Sequence, residues 1–216
     1  MSKGEATRDR ILSAAMKLFA AQGYAQTSVG AIEQAAGLAP RSGALYQYFE
    51  GKEDVLRQAV DRELAHLDSL QQALDMLPLG DLKAELTFLA RWNLSSLEQR
   101  SDLLGFLRRD AAAFPELAQE IHERMTGQPL EQVAGWIDRL AADAGAEPFD
   151  SQALALIMVE SLSAYWLMRQ SLGRVPGDLN DERFIATWVD LGLTYARAKG
   201  ITAEVTGPTR CRSSGS

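Results

Sequence analysis

The chain has 216 residues, 46% apolar and 24% charged, an ordinary balance for a globular protein of one or two domains with ample chain for a core. A single cysteine, Cys211, excludes an internal disulfide framework and a cysteine-rich zinc site, and seven prolines with seventeen glycines exclude a collagen-like or linker-dominated chain. The net charge of −7 is unevenly spread: residues 1–52 hold six basic and four acidic side chains, and the rest hold sixteen and twenty-five, so a weakly basic head precedes an acidic body.

The first residues are polar and charged, so no secretory segment is expected. The longest nearly apolar run, residues 153–168, carries Glu160 and is too short to span a bilayer. A cytoplasmic chain without membrane contact is expected. In chain order, apolar residues recur at helical spacing and never at a sustained period of two. A first helix is expected from Arg8 to Gln22, with Thr7 as N-cap and Gly23 as the stop. Thr27 or Ser28 caps a short second helix that ends at Gly37, and a third short helix covers Gly43 to Phe49. A longer helix starts at Gly51-Lys-Glu-Asp and runs to about Met76 on a ladder from Leu56 to Leu74. Helices follow at Asp81 to Glu98, Asp102 to Ala113, Pro115 to Ala144, Ser151 to Leu172 and Asp181 to Lys199. The fold expected is all-α, with about nine helices: a three-helix head over 1–52, a helical body over 53–200, and a disordered tail over 201–216.

The informative stretch is residues 27–56, where two short helices around a glycine-containing turn read as a helix-turn-helix whose second helix can lie in a major groove. Val29, Ile32, Ala36, Leu45 and Phe49 can pack inward, which leaves Arg41, Ser42, Ala44, Tyr46, Gln47 and Tyr48 outward. Small residues at Gly43 and Ala44 let backbone approach DNA. Arginine and glutamine suit base edges, whereas tyrosine hydroxyls, Lys52, Lys3 and Arg8 suit phosphates. Thr27 and Ser28 complete the expected DNA-binding set.

These residues resemble the TetR family of bacterial transcriptional regulators. The resemblance rests on Ile11-Leu-x-Ala-Ala-x-x-Leu-Phe19, Gly23-Tyr, Thr27-Ser-Val, Ile32, Ala35-Ala-Gly-Leu38, Gly43-Ala-Leu-Tyr-x-Tyr-Phe49 and Lys52-Glu-x-x-Leu56. It implies a dimeric all-α regulator with an N-terminal DNA-binding domain and a C-terminal domain for effector and dimerisation. The turn departs from the common pattern, because five residues rather than three separate Gly37 from Gly43. The extra pair is expected to lengthen the turn or to add half a turn at the front of the recognition helix, which bears on Arg41 and Ser42 as base readers.

The body carries an aromatic load that can line an apolar pocket: Phe88, Trp92, Trp136, Tyr165 and Trp166, together with Phe106 and the out-of-place carboxylate Glu160. Arg91, Ser95, Ser96 and Ser161 are candidate polar contacts. A small hydrophobic effector is the expected partner of that pocket. Phe184, Trp188, Leu191 and Tyr195 form a stripe on the last helix that suits a homodimeric four-helix bundle. No catalytic set, cofactor or metal site is expected, since His66 and His122 stand far apart and no phosphate loop occurs. The expectation is a ligand-responsive repressor that binds a pseudo-palindromic double-stranded DNA operator as a dimer. Its rivals are a regulator without an effector, and a helical small-molecule-binding or enzymatic protein with a vestigial head.

Overall fold

A computed structural model of the chain describes residues 2–65, 70, 74, 75, 77 and 80–201. Among the described residues there are nine α-helices: α1 Lys3–Gln22, α2 Val29–Ala35, α3 Lys52–Ala65, α4 Leu82–Gln99, α5 Ser101–Asp110, α6 Pro115–His122, α7 Gln128–Ala144, α8 Ser151–Leu172 and α9 Asp181–Ala198. The fold is all-α, and no helix among the described residues is long and apolar enough to cross a membrane. Leu70 and Leu74 of the leucine ladder are buried, whereas Leu67, His66, Met76 and the tail beyond residue 201 lie outside the described residues.

Several boundaries differ from the expected ones for local reasons. Helix α1 starts at Lys3 rather than Arg8, because Ser2 and Glu5 form a capping box: the Ser2 hydroxyl accepts from the Glu5 amide at 3.2 Å and the Glu5 carboxylate accepts from the Ser2 amide. Thr7 is therefore inside the helix, buried, with its hydroxyl accepting from Arg10. The stretch from Pro115 holds a single wide π-type turn at Glu123–Gly127. It stands just ahead of Pro129, whose missing N–H and ring disfavour a regular helical turn there.

The chain divides into two compact units, one of Met1–Asp68 with Glu98–Gln128, the other of Ser69–Leu97 with Pro129–Ser216. The boundary expected at residue 52 falls inside the first unit. Helix α3 buries Val55, Leu56 and Val60 in the same core as Ile11, Phe19 and Ile32, and α5 adds Leu103 and Phe106. Cutting at residue 52 would expose that shared apolar surface. Phe106, expected in an aromatic pocket, belongs to this core, in a chain of ring contacts through Phe114 and Tyr24 to Phe19.

In the second unit, Asp150 caps α8 by accepting from the Ala153 amide at 2.8 Å, and Asn180 caps α9 by accepting from the Arg183 amide at 2.9 Å. Trp188 of α9 is 7% exposed, and its indole donates to the Met158 carbonyl at 2.9 Å and to the Ser161 hydroxyl at 3.1 Å, both on α8.

Candidate nucleic-acid interface

Ser28 starts α2 by accepting from the Ala31 amide at 3.2 Å. Ala36 follows the helix, and the chain then turns through Gly37 (φ 71°), Arg41 (φ 58°) and Gly43 (φ 73°). Arg41 is the one non-glycine residue with positive φ among the described residues, a conformation that costs energy for an L side chain. The two extra residues are thus absorbed in a longer turn and do not extend the recognition helix at its front. The recognition segment itself is one 3-10 turn, Ala44–Gln47, instead of a helix from Gly43 to Phe49. Gly43 is open to solvent on the side where a Cβ would stand. Its left-handed φ, rather than steric room, is what calls for glycine there.

Leu45 and Phe49 are buried between these elements, and their burial fixes what faces outward. Arg41, Ser42 and Gln47 are exposed, Tyr46 is 60% exposed, and Gly43 and Ala44 are half-buried. Ser28 is exposed at the front of α2. One small surface therefore gathers a guanidinium, two hydroxymethyl groups, a phenol and a carboxamide, the donors and acceptors that suit phosphates and base edges.

Thr27, Lys52, Arg8 and Tyr48 make contacts within the protein, and the Lys3 side chain lies outside the described ones. Thr27 is buried, and its hydroxyl donates to the Gly23 carbonyl at 2.7 Å while accepting from Gln22. Lys52 donates to the carbonyls of Tyr24 and Thr27, each at 2.9 Å, with its ammonium 4.0 Å from the centre of the Tyr24 ring. Partial burial pulls its pKa below the usual lysine value, and the Asp110 carboxylate opposes that shift. Arg8 donates to the Tyr48 carbonyl at 3.0 Å and to Gln58, and lies 4.7 Å from the Phe49 ring centre. Tyr48 is half-buried against the core. Lys52 and Arg8 thus tie loop, recognition segment and helices together through carbonyl oxygens.

Two residues that the sequence did not single out also shape this surface. Asp110 accepts from the Tyr24 amide at 3.0 Å. Glu33, on α2, is 0% exposed and accepts from the Leu45 amide at 3.1 Å. Its place in an otherwise apolar stripe beside Ile32 and Ala36 was the available signal.

In the second unit, the residues expected at an effector pocket differ in burial. Phe88 and Glu160 are exposed, Trp92 is half-buried, and Trp136 and Trp166 are buried. Tyr165 stacks on Phe184 at 4.1 Å, and its hydroxyl donates to Asp181 at 2.7 Å. Burial, followed by the Asp181 contact, pushes its pKa up to about 12. An open cleft of about 520 Å³ does exist there, lined by Tyr165, Arg169, Val175, Leu179 and Asp181. Of the expected set, Tyr165 alone lines it. Arg91 pairs with Glu182, and the Ser161 hydroxyl donates to the Met158 carbonyl. Of the expected dimer stripe, Trp188 is buried, Phe184 and Tyr195 are half-buried, with Tyr195 edge-on to Phe149, and Leu191 is 65% exposed.

A family model for bacterial regulatory proteins, tetR family, matches residues 11–59. The chain is 25% identical over 117 residues to the uncharacterized HTH-type transcriptional regulator YvkB of Bacillus subtilis (strain 168), covering 54% of this chain and 59% of that protein. It is 33% identical over 69 residues to the HTH-type transcriptional regulator AcrR of Shigella flexneri, covering 32% and 31%. The chain thus matches less than two thirds of the length of either relative. Among solved structures, the flavonoid-responsive regulator FrrA is similar over 89% of this chain and 96% of its own, with 26% identity and a TM-score of 0.61. The fatty acid degradation regulator FadR from Bacillus halodurans is similar over 88% and 96%, with 22% identity and a TM-score of 0.61. The sequence match to the tetR family of bacterial regulatory proteins thus falls on the helix-turn-helix, residues 11–59, and the fold match on nearly the whole length.

Proposed function

We propose that this protein is a cytoplasmic, ligand-responsive transcriptional repressor that binds a pseudo-palindromic operator as a homodimer. The observation that carries the reading is the exposure of Arg41, Ser42, Tyr46 and Gln47 around a single 3-10 turn anchored by buried Leu45 and Phe49. That turn is small enough to enter a major groove, and Ser28 at the front of α2 is placed for a phosphate. Dimerisation uses the open aliphatic face of α8, where Leu156, Ile157, Leu167, Met168 and Leu172 are exposed, with Leu191 of α9. An apolar stripe of this kind is covered in a stable protein.

The effector is a small, mostly apolar molecule with hydrogen-bonding groups. In support, two buried polar atoms of the second unit have no partner among the described residues, the Trp136 indole nitrogen and the Asn93 side-chain oxygen. FrrA, at 26% identity, is named for its response to flavonoids, molecules of that chemistry. Ligand binding shifts the dimer between DNA-compatible and incompatible spacings. Selection of bound duplexes from a random pool tests the reading. A palindrome with half-sites about one helical turn apart, roughly 34 Å, is the expected product. Recovery of no sequence motif would defeat it.

A further inference from the structure

Glu33 is an unusual side chain for its position. A carboxylate at 0% exposure is costly unless it is well paired, yet one oxygen of Glu33 accepts a single hydrogen bond, from the Leu45 amide, and the other has no partner among the described residues. A fold that needed only to fill this space has cheaper choices, such as alanine or leucine. What the carboxylate supplies is a contact twelve residues away along the chain, across the long turn.

The turn shows why that contact matters. The front amides of a 3-10 segment have no partner inside it, and Gly43, ahead of the segment, has no side chain to offer. The Ser42 hydroxyl takes the Ala44 amide at 3.3 Å, and Glu33 takes the Leu45 amide at 3.1 Å. Glu33 also accepts from the Leu38 amide at 2.8 Å through its own carbonyl. One residue of α2 therefore grips the turn at its entrance through the backbone and at its exit through the side chain. Three positions earlier on the same face of α2, Gly30 gives the turn room, since a Cβ there would stand 3.2 Å from Cγ of Arg41.

We infer that Glu33 is a positioning residue for DNA recognition: by capping the Leu45 amide it sets the phase in which Tyr46 and Gln47 face the groove. The inference rests on the DNA-binding reading above. In the extended turn, five residues lie between Gly37 and Gly43 with Arg41 in a left-handed conformation, and nothing else in α2 reaches across to the backbone of the recognition segment by a side chain among the described contacts. Without the cap, the one-turn segment can rotate or unwind while the α1–α3 core remains.

The test uses the full chain, with the duplex recovered by selection and a scrambled duplex of the same length. Glu33→Ala is expected to lower the ratio of selected to scrambled affinity about tenfold, while affinity for the scrambled duplex holds. Glu33→Gln, which keeps an acceptor oxygen, is expected to stay within about threefold of the parent. Amide hydrogen exchange reads the cap without DNA: the Leu45 amide is protected in the parent and exchanges at least about tenfold faster in Glu33→Ala, while the Ile11 and Phe19 amides do not change. Glu33→Met fills the site without an acceptor and carries the same comparison if the alanine variant does not fold. An unprotected Leu45 amide in the parent, or an unchanged affinity ratio in both Glu33→Ala and Glu33→Met, overturns the role. A parent that distinguishes no duplex overturns the DNA-binding reading, and with it this role, in the parent measurement alone.

Discussion

Around the helix-turn-helix, the cations that the sequence offers for phosphate are turned onto carbonyls. Lys52 bonds Tyr24 and Thr27, Arg8 bonds Tyr48, and the exposed chemistry is left to Arg41, Ser42, Tyr46 and Gln47. In α8 and α9 the division runs by another rule. One face of each helix goes inward, with Leu162, Tyr165 and Trp166 on α8 and Ile185, Trp188, Val189 and Leu193 on α9, and the other stays out, with Leu156, Ile157, Leu167 and Leu191. Charge is thus a poor guide to exposure in a unit of short elements, where every loop carbonyl needs a donor. Position on the helix face is the better guide in a unit of long helices, where one apolar stripe is buried against the neighbouring helix.

The sharpest way to break this comparison is a pair of charge insertions. Trp188→Glu removes a buried ring and leaves a carboxylate among apolar groups, a loss at or above the roughly 3–5 kcal/mol typical of a buried tryptophan truncated to alanine. The second unit should then fail to fold at any protein concentration. Ile157→Glu, on the open face of α8, should leave the helical content intact and sediment as a monomer. If instead Trp188→Glu folds and merely dissociates, the tryptophan is an interface residue after all.

Gln47→Ala tests the exposed half of the first unit. An amide paired with a base discriminates by about 1–3 kcal/mol, so preference should relax at one base pair per half-site in a competition binding assay. Equal weakening on every duplex would make Gln47 a backbone contact.

Lys52→Met keeps the aliphatic stem and deletes two charge-assisted hydrogen bonds, at a cost of about 1–2 kcal/mol for a partly exposed group. Chemical denaturation should show the loss. The salt dependence of DNA binding should not change, whereas deletion of a phosphate contact makes the slope of log K against log salt shallower by about 0.9. A shallower slope would return Lys52 to the interface.

The smallest effect concerns Asp102, in the first turn of α5. Burial foremost raises its pKa, Lys17 lowers it, and Glu63 raises it again. A carboxyl whose folded pKa is raised binds its proton more tightly in the native state, so its ionisation subtracts stability as pH rises through that range. Asp102→Asn should therefore raise the melting temperature slightly at pH 7 and leave it unchanged near pH 3. A fall at pH 7 would mean that the charge is favourable at the helix start.

Much of this architecture is legible in the sequence, and the failures are local. Ile11, Phe19, Ile32, Leu45 and Phe49 read correctly as core because their spacing matches a helical or single-turn face. Ser151–Leu172 reads correctly to both ends, since Asp150 and Gly173 are strong start and stop signals. The Ser2–Glu5 capping box was legible too and went unused. What spacing along a chain does not carry is the partner of a long side chain. Lys52 and Arg8 meet carbonyls from remote residues, and Glu33 meets the amide of Leu45 only once the turn has folded back. Within the expected dimer stripe, Trp188 lies on an apolar face, and the neighbour that its indole meets is the chain's own α8.

All four tryptophans, Trp92, Trp136, Trp166 and Trp188, lie in the second unit, and the helix-turn-helix unit has none. Their emission therefore reports the state of one half of the molecule. A denaturation curve followed at tryptophan wavelengths is blind to unfolding of the DNA-binding half, whose chromophores among the described residues are Tyr24, Tyr46 and Tyr48. Circular dichroism sees both halves. Two probes that give different midpoints would show the units melting separately, and coincident midpoints would show one cooperative transition. The chain thus carries a built-in optical label on its second unit, available without any chemical modification.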